Sequence, residues 1–193
     1  MSQTFQPPPG FVDTPHPPIG PVSGMATRVE EVVIERPLAQ VLAAVDAMPL
    51  TELVQATAGL PGVIGEHDLT AGGYGQPGSR HLVFLSDGTT ITEQIVDYER
   101  TAALYRFSYV VWNYSTPAAR PIHYALAEFR YAADGPDRTR ARWSYSFALR
   151  RNRFPGLLGG LGNRLLKAAL LDGAYAKLMQ GGLQRVKARA EAA

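Results

Sequence analysis

The 193-residue sequence lacks cysteine and has no long apolar run. Without cysteine it can form no disulfide framework, no thiol nucleophile and no cysteine-ligated metal site. The absence fits a reducing compartment, so we expect a cytoplasmic location. No segment reaches the ~18 consecutive apolar residues of a membrane helix, and we therefore expect no integral membrane segment.

Charge is scarce as well, with 19 basic and 17 acidic residues and a net charge of +2. The basic residues form no run interleaved with aromatic residues, so nucleic acid is not expected as a partner. The four histidines lie at no spacing typical of metal ligands, which predicts no metal site. The glycine-rich stretch Gly72–Gly78 lacks the helix and the Lys-Ser/Thr of a phosphate loop, and no cofactor motif appears elsewhere. We interpret it as a flexible lid in which Tyr74 covers a cavity mouth.

Proline is concentrated at the N-terminus, where residues 1–24 hold seven of the 15 prolines. Such a segment favours extended polyproline II, so we predict a proline-rich extension over residues 1–24 and a single domain over residues 25–193. The extension either lies along the surface, or acts as an arm that packs on a partner subunit in a homodimer or binds a proline-reading domain. Its apolar residues available as anchors are Phe5, Phe11, Val12 and Ile19. Whether Met25 is an alternative start is left open by the sequence.

The domain begins with a strand, Val29–Glu35, and two helices, Pro37–Ala47 and the shorter Pro49–Thr57, each opened by proline. Six further strands follow, separated by turn signals: Val63–Thr70, Ser79–Ser86, Thr89–Glu99, Ala103–Trp112, Ile122–Ala132 and Arg138–Leu149. A long helix is predicted from about Pro155 to Ala192. Its apolar stripe consists of Leu158, Leu161, Leu165, Ala168, Tyr175, Met179, Leu183 and Val186.

This order of elements predicts an α+β fold. Short connections favour a curved, seven-stranded antiparallel sheet wrapped around the long C-terminal helix, with the first strand at the edge of the sheet. The two short helices then close one end. A helix lying in the concavity of a sheet seldom fills the space, so we expect a ligand cavity between them.

Three pieces of the sequence also resemble a known family: Gly78-Ser79-Arg80 opening a strand, the hairpin "DGTTITEQIVDY", and "TRARW" ending in Trp143. Together they resemble the START / polyketide cyclase-dehydrase superfamily (SRPBCC), the helix-grip fold of the birch-pollen allergen. The resemblance covers most of residues 29–188 and excludes the proline-rich arm. It implies a hydrophobic ligand cavity between sheet and C-terminal helix, without implying one chemistry.

Strand alternation predicts which side chains face this cavity. The predicted ligand-binding residues are large and mostly aromatic: Tyr105, Phe107, Tyr109, Phe129, Trp143, Tyr145, Phe147, Leu165 and Tyr175. The same alternation puts two titratable residues on the inner face, Glu93 and His123. The facing of Arg80 and His81 is left open, because their strand is apolar on both faces.

Glu93 and His123 are the candidate catalytic residues. Glu93 is interpreted either as a general base or hydrogen-bond acceptor, or as a structural acid that is bonded to the backbone or paired with Arg80. His123 is interpreted either as a proton shuttle or as a partly solvated residue near the rim of the sheet.

Two functions are consistent with this pattern. The first is binding of a lipid, isoprenoid, aromatic or polyketide-like molecule, and the second is a polyketide cyclase/aromatase activity using a pocket acid/base pair. The resemblance implies an inward arginine for the aromatases, and the inner face has none unless Arg80 turns inward.

Overall fold

Seven strands and a long C-terminal helix dominate the computed structural model, which describes residues 4–192. The strands are β1 (Ala26–Ile34), β2 (Val63–Asp68), β3 (Arg80–Leu85), β4 (Thr90–Arg100), β5 (Leu104–Trp112), β6 (Ile122–Ala133) and β7 (Thr139–Leu149). The helices are α1 (Leu38–Asp46), α2 (Leu50–Leu53), α3 (Gly160–Leu166), a π-helical segment (Lys167–Tyr175) and α4 (Ala176–Ala192).

The strands form one antiparallel sheet in the order β1-β7-β6-β5-β4-β3-β2. Strands β2 to β7 are a meander, because each short turn places the next strand beside the previous one. Strand β1 pairs with β7 at one edge. The predicted helix-grip fold is therefore confirmed, with the long helix on the concave face and two short helices after the first strand.

The second short helix is shorter than predicted. It was expected over residues 49–57, but α2 ends at Leu53. The chain turns back there, because the backbone N–H of Val63 donates to the carbonyl of Val54 at 2.8 Å. A side chain at Gly62 would overlap the backbone of Ala56, so the turn depends on glycine.

The apolar stripe predicted for the C-terminal helix does not lie along a single face of the helix. A tight turn over residues 156–158 precedes it, and the nine-residue π-helical segment follows α3. Each i→i+5 turn takes up more residues than an α-turn, so the stripe before the segment is rotated relative to the stripe after it. Leu158, Leu161 and Leu165 consequently face outward, while Leu171 and the predicted residues Met179, Leu183 and Val186 are buried. Within residues 4–192, no helix combines the length and apolarity needed to cross a membrane.

Helix α4 packs on β1 and β7 and on both short helices. A Cβ atom at Gly182 would lie 3.0 Å from the Trp143 ring, so the glycine permits a close approach of helix and sheet. Polar contacts fix the far end of α4. Lys187 Nζ donates to the carbonyl of Val33, and Arg189 pairs with Glu52, both at 2.6 Å.

Residues 4–24 of the proline-rich arm lie across the outer face of the sheet of their own chain. The Phe5 ring packs 5.0 Å from the ring of Phe84, and a side chain at Gly65 would overlap it. Asp13 pairs with Arg80 at 2.8 Å. The expected anchor Val12 is 65% exposed. A homodimer contact through the arm stays a prediction.

Sheet side chains also bind the arm's backbone. The Trp112 indole donates to the carbonyl of Thr14 at 3.0 Å, and the Asn113 amide donates to that of Val12 at 3.1 Å. The N–H of Gly20 donates to the Tyr124 hydroxyl at 2.7 Å. The arm thus covers the outer cluster formed by Val110, Trp112 and Tyr124.

Replacing Phe5 tests this arrangement. We expect Phe5→Ala to lower the free energy of unfolding by about 2 kcal/mol, because a half-buried ring loses its packing against Phe84 and Gly65. Urea denaturation measures the change. Val12→Ala is the matched control in the same arm and should change little. Equal stability of both variants would mean that the arm does not hold this position.

Candidate functional site

A cavity of about 710 Å³ separates the concave face of the sheet from the C-terminal helix. This volume lies within the roughly 300–1,000 Å³ of small-molecule sites. The aromatic residues in its wall are Tyr74, Phe107, Tyr109, Tyr114, Phe129, Trp143, Tyr145, Phe147 and Tyr175. The helix contributes Leu170 and Leu178 as well.

Seven of the nine predicted ligand-binding residues line this cavity: Phe107, Tyr109, Phe129, Trp143, Tyr145, Phe147 and Tyr175. Tyr105 is on the inner face of the sheet but does not line the cavity. The Arg100 guanidinium lies 5.0 Å from the centre of its ring. Leu165 is exposed, because the π-helical segment rotates it away from the sheet. The structure therefore excludes Tyr105 and Leu165 from the cavity wall.

The aromatic wall is packed as a connected set. Trp143 stacks on Phe129 with ring centres 4.4 Å apart, and its indole N–H donates to the Tyr109 hydroxyl at 3.3 Å. Tyr145 meets Tyr175 of the helix edge-on at 5.0 Å. Burial raises the pKa of Tyr109 and of Tyr145 well above 10, so both hydroxyls are neutral donors.

One end of the cavity is polar, and His81 is at its centre. His81 and Glu93 are direct neighbours across β3 and β4, with Nε2 3.1 Å from the Glu93 carboxylate. They are 1% and 8% exposed. On the other side, a Glu66 oxygen of β2 lies 2.9 Å from His81 Nδ1. That contact is an ion pair, since Nδ1 has no well-aligned hydrogen-bond acceptor.

The two carboxylates make His81 a cation at neutral pH. Burial by itself lowers the pKa of His81, but its contacts with Glu66 and Glu93 outweigh burial and raise the pKa from 6.5 to about 9. The contact with His81 in turn lowers the pKa of Glu66 below its usual value. The cluster therefore combines one imidazolium with two acidic groups at the edge of an apolar wall.

Tyr74 covers this polar end. Its ring lies flat on the His81 imidazole, with centres 3.6 Å apart and planes within 4° of parallel. A phenol face over an imidazolium is a cation–π contact, which favours the charged histidine. The Tyr74 hydroxyl is buried and has no hydrogen-bond partner among the described residues. It is an unsatisfied polar group in the cavity wall.

The structure corrects the placement of His123. Strand alternation predicted it on the inner face with Phe129, but β6 has a bulge between Ile122 and Tyr124. The extra residue reverses the alternation, so Ile122 lines the cavity and His123 lies outside it. Burial and the neighbouring Arg150 lower the pKa of His123. It cannot act with Glu93.

Arg80 also faces outward, where it pairs with Asp13 of the arm. The predicted pairing of Glu93 with Arg80 is therefore wrong. The carboxylate is stabilised by His81, and the described lining residues include no arginine or lysine. In residues 4–192, no group of three acidic, histidine or cysteine side chains is arranged to hold a metal ion.

The His81–Glu93 pair was missed although the hairpin encodes it. The backbone N–H of Leu85 donates to the carbonyl of Thr89, which closes a three-residue loop with Gly88 at φ 82°. Counting outward from this loop places residue 81 opposite residue 93. The apolar pattern of β3 hides this register, because Leu82 and Val83 are both fully buried on opposite faces.

The sequence matches, over residues 25–191, the family described as polyketide cyclase / dehydrase and lipid transport. The chain belongs to this family. The predicted membership of the SRPBCC superfamily is thereby confirmed. No curated protein matches the sequence.

Several solved structures share the fold of this family member. Ara h 8.0201 is 17% identical with a TM-score of 0.57, over 88% of this chain and 100% of its own. Hypothetical protein jhp0584 from Helicobacter pylori is 15% identical with a TM-score of 0.62, over 93% and 99%. The Zhui aromatase/cyclase from a Streptomyces species is 14% identical with a TM-score of 0.54, over 86% and 94%. At these identities the likeness concerns the fold alone.

The raised pKa of His81 predicts how stability depends on pH. A histidine with a raised pKa stabilises the folded state fully below its unfolded value of about 6.5, and this contribution is lost as the pH rises through about 9. We expect a loss of about 3 kcal/mol over this window. Urea denaturation at several pH values measures it.

The matched variants for this measurement are His81→Gln and His123→Gln. The first should flatten the stability profile between pH 6.5 and 9, since it removes the titrating group. The second should keep the wild-type slope, because the pKa of His123 is lowered. An unchanged slope in His81→Gln contradicts the ion-pair assignment.

Proposed function

We propose that the protein binds a mainly apolar small molecule, of aromatic or polyketide-like character, in the cavity. The observation that carries this proposal is the composition of the wall: aromatic and aliphatic side chains line most of it, and Glu66, Tyr74, His81 and Glu93 meet at one end. A ligand with one polar end and an extended apolar body matches both parts.

The polar end suits an oxygen function such as a hydroxyl or carbonyl. Tyr74 offers a buried hydroxyl without a partner, which costs free energy until a ligand satisfies it. Glu93 accepts from His81 through one oxygen, so its second oxygen has capacity for a ligand hydroxyl. Large rings with polar tips, such as Tyr109, add area and further donors along the wall.

Acid/base catalysis is the second candidate, and the His81–Glu93 contact favours it. In an aldol closure, Glu93 would take a proton from one carbon, and that carbon would form the new bond to a carbonyl carbon. His81, released from one of its two carboxylates, would give a proton to the carbonyl oxygen. Transfer of the proton from Glu93 to His81 across their 3.1 Å contact then restores both groups. Binding ranks first, because the wall lacks the inward arginine that the resemblance implied for aromatases. Cytoplasmic location stays a prediction.

Filling the cavity tests binding. We expect Leu170→Trp to reduce uptake of an anilinonaphthalene dye strongly, because Leu170 lines the cavity and the indole would occupy ligand volume. Leu165→Trp is the control on the same helix, since Leu165 is exposed outside the cavity. Fluorescence titration measures affinity, and native mass spectrometry identifies co-purifying molecules. Equal uptake by both variants would argue against a cavity ligand.

Glu93→Gln separates binding from catalysis. For a binding protein, we expect it to leave dye affinity nearly unchanged, because the aromatic wall supplies most of the contact. Cyclisation of a linear poly-β-ketone should then be absent in wild type and variant alike. Wild-type turnover that Glu93→Gln abolishes, at unchanged dye affinity, would instead assign an enzyme. His123→Ala serves as the control outside the cavity.

A further inference from the structure

Exposed apolar residues gather where β7 leads into the C-terminal helix. Phe154, Leu157, Leu158, Leu161 and Leu165 are 65%, 58%, 39%, 55% and 42% exposed. They account for five of the nine large apolar residues that are exposed in residues 4–192. With Arg150, Arg151, Arg153 and Arg164 they form what we call the amphipathic patch.

The fold holds these leucines outward. A side chain at Gly156 would overlap the carbonyl of Arg150, and one at Gly162 would overlap that of Pro155. The turn and the first turn of α3 therefore pack directly against each other through glycine, with no room for a leucine between them. The leucines of the patch are not core residues that have failed to pack on the sheet. Leu171 and Met179 already fill the side of the helix that faces the sheet.

The charge of this region is one-sided. No acidic residue occurs between Asp137 and Asp172. Lys167 pairs with Asp172, but within residues 4–192 the four arginines of the patch form no ion pair. Arg150 and Arg151 donate only to backbone carbonyls, of Ile122 and Gly156. The whole chain carries only +2, so this cationic excess is local.

We propose that the amphipathic patch docks on an anionic lipid surface. Phenylalanine and leucine beside unpaired arginines suit the boundary between acyl chains and negative headgroups. A second copy of the chain is a poorer occupant, because apposed patches would bring eight guanidinium groups together. Nucleic acid would satisfy the arginines and leave the leucines in water.

The patch adjoins the cavity. Arg150 bonds the carbonyl of Ile122, a lining residue, and Leu170 lines the cavity about one helical turn beyond Leu165. Docking would therefore bring this end of the cavity close to the lipid surface. The inference itself is independent of the proposed ligand and tests a different surface.

Vesicle partitioning tests the proposal. We expect the full chain to co-sediment with phosphatidylcholine vesicles containing about one third phosphatidylglycerol, and much less with phosphatidylcholine alone. Arg153→Gln with Arg164→Gln should weaken partitioning roughly 30-fold, because each cation near the surface contributes about 1 kcal/mol. Leu157→Ser with Leu161→Ser should weaken it by about 10-fold or more.

Two further measurements show whether the patch itself contacts the vesicles. Arg138→Gln with Lys177→Gln removes two exposed cations elsewhere and should leave most of the partitioning. Phe154→Trp adds an exposed indole, whereas Trp112 and Trp143 are buried, so a blue shift with anionic vesicles reports insertion of the patch. Circular dichroism confirms that each variant is folded.

Several outcomes would overturn the proposal. They are no preference for anionic vesicles, equal losses in the patch and control variants, and an unshifted Phe154→Trp spectrum. Dimerisation that Leu157→Ser with Leu161→Ser abolishes, without vesicle binding, would assign the patch to a second copy instead.

Discussion

The contact between Gly182 and the Trp143 indole determines how the helix sits on the sheet. It lets α4 approach β7 closely, while Lys187 and Arg189 tie the end of the helix to β1 and to the short helices. The helix is thereby held against β1 and β7, at one edge of the curved sheet. Strands β3, β4 and β5 lie further along the sheet from β1, and the cavity lies between their inner-face residues and the helix.

The polar cluster is stable only because each of its charged groups has a partner of opposite charge. A lone carboxylate in this wall would cost several kcal/mol, and a lone histidine would lose its charge. Glu93, His81 and Glu66 come from three adjacent strands, so the hydrogen-bonded register of the sheet fixes their distances. Tyr74 then shields the imidazole from water. The result is a fixed dipolar group at the boundary of an apolar volume.

Sequence reasoning succeeded where the structure is periodic and failed where one residue breaks the period. Alternation placed Phe107, Phe129 and Trp143 on the inner face, because β5, β6 and β7 are regular over these positions. A single bulge moved His123 to the other face. The π-helical segment did the same to Leu165, since i→i+5 turns leave no signature in an apolar pattern. The partner of Glu93 depended on a hairpin register that composition does not reveal.

The contacts that hold the arm restrict the sequence of the sheet more than the sequence of the arm. Proline lacks an N–H, so a proline-rich strand offers its neighbours mainly carbonyl oxygens, and the donors must come from the sheet. Trp112, Asn113 and His67 provide them to the carbonyls of Thr14, Val12 and Phe5. Main-chain acceptors are present whatever residue occupies the arm. Substitutions in the arm are therefore expected to cost little stability except at Phe5 and Asp13, whose side chains contact the sheet. Trp112, Asn113 and His67, in contrast, must remain hydrogen-bond donors.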